Sequence, residues 1–258
     1  MIDTHSHIYG PEYDEDRELV VRRAQQAGVE RIFLPNINEA SIAPMLSLCH
    51  SFPGYCYPMM GLHPEDVAED YLQVLGRMEE LLKDSSHPYI AIGEVGLDFY
   101  WDASLSKQQI DAFGRQIEWA VQYNLPLMIH SRNAHAELVQ TIRSYVSEGL
   151  SGVFHCFGGT LDEAQELLSF DNFVLGIGGV STFKKSPLPQ VLQSVPLQRI
   201  VLETDSPYLS PVPYRGKRNE SSYVVEVMRK VAEIYNVTSE EVEKITNANV
   251  KRIFSRVK

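Results

Sequence analysis

Two histidines one residue apart, His5 and His7, follow the apolar start Met1-Ile2. Along a strand, residues i and i+2 point to the same face about 7 Å apart. From that spacing two imidazoles can hold one metal ion. Residues of the same kind recur, each after an apolar run: His63, Glu94, His130, His155 and Asp205. Imidazole and carboxylate donors in that number suit first-row divalent ions, and a carboxylate can bridge two of them. Histidine favours zinc or manganese and carboxylates with water favour magnesium, so a site for one to three such ions is expected.

Taken singly, each of these residues has a plainer explanation. His130 after Met128-Ile129, or His155 after Val153-Phe154, reads alone as a core histidine with a satisfied hydrogen bond. The joint pattern argues otherwise, because five of the eight histidines fall at or just beyond apolar runs. His50, His87 and His135 lie in a helical segment, in a loop and in a helix, and take no role.

The elements that must bring these residues together are eight short runs, at residues 1–5, 31–35, 55–61, 89–94, 125–130, 152–155, 173–177 and 199–203. Most segments between them read as helices. Ser106 with Gln109 and Thr160 with Glu163 form capping-box patterns, and Thr238 with Glu241 opens a last helix after a helical run over residues 223–235. Gly28 ends a helix whose apolar side takes in Leu19, Val20, Ala24 and Ala27. Strands alternating with helices form a parallel sheet, and eight such units match the size of a (β/α)8 TIM-type barrel. An open doubly wound sheet is the alternative. A closed barrel is favoured because its functional residues collect at the C-terminal mouth of the strands, where the candidates fall.

Composition narrows the class. The 258 residues are 44% hydrophobic and show no linker or low-complexity boundary, so one domain over residues 1–258 is expected. Cys49, Cys56 and Cys156 fit neither a disulfide framework nor a cysteine-rich zinc site, which points to a reduced, cytoplasmic protein. There is neither a signal-peptide pattern nor a membrane-length apolar run, and no obligate protein partner is indicated. A formal net charge of −11 argues against general affinity for nucleic acid, so a polyanionic substrate needs local cations.

The motifs, read in order, are Asp3-Thr4-His5-Ser6-His7, Gly61-Leu62-His63-Pro64, Gly93-Glu94-Val95-Gly96-Leu97-Asp98, His130-Ser131-Arg132, His155-Cys156-Phe157, Glu203-Thr204-Asp205-Ser206-Pro207 and Arg215-Gly216-Lys217-Arg218-Asn219-Glu220. Together they resemble the TatD-type metal-dependent deoxyribonucleases, TatD-like hydrolases of the amidohydrolase superfamily, over essentially the whole chain. The departure is Ser221, where the family usually has proline, and it bears on loop shape. The resemblance implies a TIM-type barrel and metal ligands at His5, His7, Glu94, His130, His155 and Asp205, with Glu94 shared between metals. The implied activity is hydrolysis of DNA phosphodiester bonds, as a 3′-5′ exonuclease or by cutting at damaged sites.

Phosphodiester hydrolysis needs a nucleophile at neutral pH and relief of building charge, both of which bound divalent metal provides. In this reading two ions of magnesium, manganese or zinc are held by Glu94 and Asp205 among others, Asp205 takes a proton from water, and His63 contacts the phosphate or leaving group. Glu203, on the face of Asp205 but one step deeper, orients a ligand. Arg132, Lys184, Lys185, Arg215, Lys217 and Arg218 fall in loops on the same rim and are candidates for phosphate contacts, while Tyr100 and Trp101, after Phe99, are candidates for base stacking. A solvated loop is the plainer reading of those charges. Gly176, Gly178 and Gly179 match no phosphate-loop pattern and read as a tight turn. Two rivals stay open: an amide or ester hydrolase on the same donors, such as an aminoacyl-tRNA deacylase, and a non-catalytic metal-binding barrel.

Overall fold

The computed structural model describes residues 1–100 and 102–257. In chain order it runs β1 (Ile2–Asp3), α1 (Arg17–Gln26), β2 (Arg31–Leu34), α2 (Glu39–Ser51), β3 (Cys56–Pro58), α3 (Tyr71–Glu80), β4 (Ile92–Asp98) and α4 (Ser106–Tyr123). There follow β5 (Leu127–Arg132), α5 (His135–Arg143), β6 (Gly152–Phe154), α6 (Leu161–Leu168), β7 (Phe173–Ile177), α7 (Leu188–Leu192), β8 (Ile200–Leu202), α8 (Val224–Tyr235) and α9 (Ser239–Ile253). The expected runs all yield strands.

Strands β1 to β3 pair in parallel, as do β4 to β8. Two narrow seams join the groups into a closed barrel. At one, Met60 bridges to Ile92, the Met60 N–H donating to Ala91 O over 3.1 Å and the Gly93 N–H to Met60 O over 2.8 Å. At the other, the chain after β1 bonds to that after β8: Thr4 N–H to Leu202 O at 3.1 Å and His7 N–H to Ser206 O at 2.8 Å.

The core divides into two clusters, as a barrel with an outer helical ring requires. Phe33, Met59, Met128, Val153, Val174 and Val201, one from each of six strands or strand ends, pack with Val250, Ile253 and Phe254 of α9. Phe254 meets Phe33 edge to face at 4.9 Å, so the end of α9 closes the floor. Alternation places Met128 on the face of His130, Val153 on that of His155 and Val201 on that of Glu203. The polar site thus stands directly above an apolar plug. The larger cluster, including Ile32, Ile129, Phe113 and Val231, joins the outer strand faces to the helices.

Local signals mostly held. Thr160 and Glu163 form the capping box of α6, and the Thr238 hydroxyl accepts the Glu241 N–H. Ser106 with Gln109 does not form one: Ser106 is the first residue of α4, and Gln109 turns inward to bond the backbone of Asp98. Strand four extends past Glu94 to Asp98, and strand five past His130 to Arg132, so both residues lie within strands. Leu19 is 56% exposed and does not join the buried side of α1. The glycines after β7 lead into a short 3-10 turn, Gly179–Thr182.

Candidate metal centre

Glu94 stands at the middle of the barrel mouth, 2% exposed, with each carboxylate oxygen facing a different set of imidazoles. Its Oε2 lies 3.0 Å from His5 Nε2 and 3.3 Å from His7 Nε2. Asp205 Oδ1 backs the pair at 3.7 and 3.9 Å. Its Oε1 lies 2.8 Å from His155 Nε2, 3.1 Å from His130 Nδ1 and 3.3 Å from His63 Nε2. The structure therefore gathers the other five ligand candidates, and His63, around the Glu94 carboxylate.

Backbone form makes this convergence possible. Gly96 in β4 has φ +137°, and a Cβ there would stand 2.0 Å from the carbonyl oxygen of His130, so only glycine lets β5 come so close. Gly176 in β7 leaves room for Glu203, whose Oε2 would be 2.1 Å from a Cβ at that position. Asp205 takes left-handed backbone at φ 54°, a conformation aspartate tolerates better than most residues.

The donor set fits divalent cations. Ligand bonds of about 2.1 Å in tetrahedral or octahedral geometry put neighbouring donors roughly 3.0–3.4 Å apart, and His5 Nε2 to His7 Nε2 is 3.1 Å, His130 Nδ1 to His155 Nε2 3.3 Å. Ring nitrogens that close, turned toward one carboxylate oxygen, are spaced as donors to a shared cation are. Three groups have donors close enough to share an ion: His5, His7 and Asp205; His63, Glu94 and His130; and His5, His155 and Glu203. In the last, His5 Nδ1, His155 Nδ1 and Glu203 Oε2 are buried and have no hydrogen-bond partner among the described residues.

The electrostatics follow from burial set against this crowding. Burial favours the neutral acid at Glu94, but the imidazoles of His155, His5 and His63 outweigh it and hold the pKa well below the usual carboxylate range. At Asp205 burial prevails over His155 and His7, raising the pKa to about 6. Burial, then the neighbouring His155, pushes His5 well down. Burial also opposes charge on His155, yet Glu94 and Glu203 overcome it and push that pKa well up.

A shell of partners lies behind these donors, and part of it escaped the sequence reading. Asp98 Oδ2 is 2.8 Å from His130 Nε2. The Tyr9 hydroxyl sits 2.9 Å from His7 Nδ1. Asp3, fully buried, accepts the Thr204 N–H at 2.9 Å and its hydroxyl at 2.7 Å. Asp98 was detectable, since alternation along β4 puts it on the face of Glu94. Glu203 lies as anticipated, fully buried with Oε1 3.8 Å from His155 Nδ1 and accepting the Cys156 N–H.

The rim residues divide. Arg132 stacks on the Tyr100 ring at 3.6 Å, and Arg215 on Phe183 at 3.8 Å. Lys217 is exposed beside Tyr214, and Lys184 and Lys185 are exposed after Phe183. Arg218 instead lies 4.4 Å over Tyr13, and donates to both Asp16 oxygens at 2.8 Å and to Glu12 O at 2.6 Å. Trp101 lies outside the described residues. Asn219 and Glu220 face inward: Asn219 Nδ2 donates to Thr204 O and Tyr208 O, and Glu220 pairs with Arg23. Ser221 places its hydroxyl 3.1 Å from Ser6 Oγ.

A closed parallel barrel with histidines and carboxylates converging at the C-terminal mouth is the arrangement a metal-dependent hydrolase uses. The family model for TatD related DNase matches residues 2–255, and the chain belongs to that family. It is 38% identical over 256 residues, 98% of each chain, to YabD of Bacillus subtilis, described as an uncharacterised metal-dependent hydrolase. It is 30% identical to the 3′-5′ ssDNA/RNA exonuclease TatD of Pectobacterium carotovorum, covering 98% of this chain and 99% of the relative. The solved structure of YJJV, a TatD homologue from Escherichia coli, superposes with a TM-score of 0.92 at 27% identity over 99% of this chain and 98% of that one. The chain is therefore an enzyme acting on ester bonds.

Proposed function

We propose that this enzyme is a deoxyribonuclease that trims single-stranded DNA from a 3′ end, using two divalent ions of magnesium, manganese or zinc held across Glu94. The observation that supports this is the division of Glu94: Oε2 faces His5 and His7, and Oε1 faces His130 and His155. His5, His7 and Asp205 with one oxygen, and His130 and His155 with the other, are the proposed ligands. Ions held there would supply a nucleophilic water at neutral pH and Lewis acidity at the phosphoryl oxygen.

The chain's own groups do the remainder. Asp205, buried beside His5 and His7, would take a proton from the attacking water. His63 contacts the phosphate. Arg132 with Tyr100, and Arg215 with Lys217, offset the net charge of −11 at the mouth and guide the strand, while the Tyr100 face offers a base-stacking platform. Residues 1–258 act as one domain in the cytoplasm; none of the described helices is long and apolar enough to cross a membrane. Nothing in the donor set favours phosphorus over a carbonyl carbon, so the substrate assignment draws on the rim cations and on the TatD relatives' activity.

The test is digestion of 3′- and 5′-labelled single- and double-stranded oligonucleotides beside small amides, in each metal and after chelation, with metal content measured in parallel. Stepwise, chelator-sensitive loss from the 3′ end is expected. Hydrolysis of amides or aminoacyl esters alone would overturn the substrate, and full activity without metal would overturn the centre.

A further inference from the structure

The imidazoles around Glu94 are not chemically equivalent, because groups outside the donor set act on their far nitrogens. A carboxylate can only accept, so Asp98 Oδ2, 2.8 Å from His130 Nε2, holds a proton on Nε2 and makes Nδ1 the nitrogen whose lone pair is given when a cation takes the place of the proton shared with Glu94. Nδ1 is the atom that faces Glu94. His7 is held in the same sense. The Tyr9 hydroxyl donates to Pro35 O at 2.5 Å and therefore accepts from His7 Nδ1, leaving Nε2 bare toward Glu94.

His63 is held in the opposite sense. The backbone N–H of Glu65 donates to its Nδ1 over 3.2 Å, so a neutral His63 carries its proton on Nε2, the atom that points to Glu94 Oε1. Its ring meets that of His130 edge to face at 4.6 Å, so two adjacent imidazoles present opposite chemistry to one carboxylate oxygen. Distance alone would let His63 share an ion with Glu94 and His130. A protonated nitrogen has no lone pair to give.

We propose that Asp98 is a positioning residue that commits His130 to ligation through Nδ1, and that the Glu65 N–H excludes His63 from ligation and makes it an N–H donor to the substrate phosphate. Asp98 is built to hold its place: it is 2% exposed, its Oδ1 accepts the Tyr100 N–H at 2.9 Å, and Gln109 grips its backbone N–H and carbonyl at 2.9 and 3.0 Å. A carboxylate fixed at both ends keeps the histidine in one tautomer and one orientation. This deepens the metal-dependent reading above and rests on it.

The experiment is calorimetric titration of manganese and of zinc into metal-stripped wild type, D98A and H63A, with long-range nitrogen-15 NMR of the imidazoles in metal-free wild type. Loss of the outer carboxylate is expected to weaken one site about 10–100-fold. H63A is expected to bind metal like wild type while losing turnover, and H63Q, whose amide keeps an N–H donor, to recover part of it. The NMR is expected to show Nε2 protonated in His63 and in His130, and Nδ1 protonated in His7. H63A losing metal as D98A does, D98A binding normally, or His63 protonated at Nδ1 would each overturn the proposal. The NMR needs no variant, so it decides even where D98A fails to fold. Wild type that takes up no metal would instead overturn the metal-dependent function and leave the tautomer result standing.

Discussion

The backbone N–H of Asp205 donates to the carbonyl of His5 over 2.9 Å, so two candidate ligands from opposite ends of the chain share a peptide-level bond. Around it Ser6 Oγ meets Ser206 Oγ at 2.7 Å, and Asp3 binds Thr204. This seam closes the barrel and assembles one half of the metal centre at once. Rigidity there follows from backbone and buried hydrogen bonds, which hold donors better than long side chains do.

Glu94 joins the two halves. Glu94→Gln keeps the volume but replaces one anionic oxygen by an amide that cannot serve both sets. Metal affinity is expected to fall at least about 100-fold and turnover to be lost, while the circular dichroism spectrum stays that of wild type. Metal content by mass spectrometry and an oligonucleotide assay check this; a variant retaining wild-type metal and rate refutes the bridging role.

Burial raises the pKa of Asp205 to about 6 and, despite the Thr204 hydrogen bonds, that of Asp3 to about 7. An acid whose folded pKa exceeds its unfolded one binds more protons when folded, so its contribution to stability falls as pH rises through that window. For Asp205 the window runs from 3.8 to about 6. In metal-free protein, the melting temperature of Asp205→Asn relative to wild type should therefore climb across that range and level off above it. Added metal should raise the wild-type Tm more at about pH 8 than at about pH 5, since both carboxylates are then ionised and a cation offsets Asp205. A difference that shrinks with rising pH contradicts this.

Rim cations should sort by their present partners. Arg132 stacks on the Tyr100 ring, and Arg215 stacks on Phe183 and donates to Ser210 O, whereas Arg218 is tied to both Asp16 oxygens and Glu12 O. Substituting Arg132 or Arg215 by alanine should raise KM for single-stranded DNA and lower the salt slope of binding by about 0.7 per lost phosphate contact. Arg218→Ala should leave that slope nearer to wild type and lower the Tm. Equal slopes for all three variants would show that stacking and ion pairing do not distinguish them.

The Asn219 side chain is fully buried, donates to Thr204 O at 2.8 Å and to Tyr208 O at 2.6 Å, and accepts the Glu220 N–H at 2.9 Å. Asn219→Ala leaves two carbonyls of the loop after β8 without their partner. A loss on the order of 2–4 kcal/mol of stability is expected from urea unfolding. Unchanged stability would mean the loop holds itself.

The sequence by itself determined the strands and the barrel class, and it narrowed the donors to His5, His7, His63, Glu94, His130, His155 and Asp205. Each strand reads locally as a short apolar run, and each of these residues stands on or just beyond one. The resemblance across seven motifs singled out six of them as ligands and added the sharing of Glu94. What only the tertiary structure decided is which atoms face one another. Tyr9 acts from two residues beyond His7 and Glu65 through its backbone N–H, but Asp98 acts from another strand, and no spacing rule connects Asp98 with His130 until β4 pairs with β5. Arg218 looked in sequence like Arg215 and was separated from it by Asp16, far off in the chain. Residue type sets which chemistry is possible; the fold sets the partner on the far side of each ring, and with it whether that ring offers a lone pair or a proton.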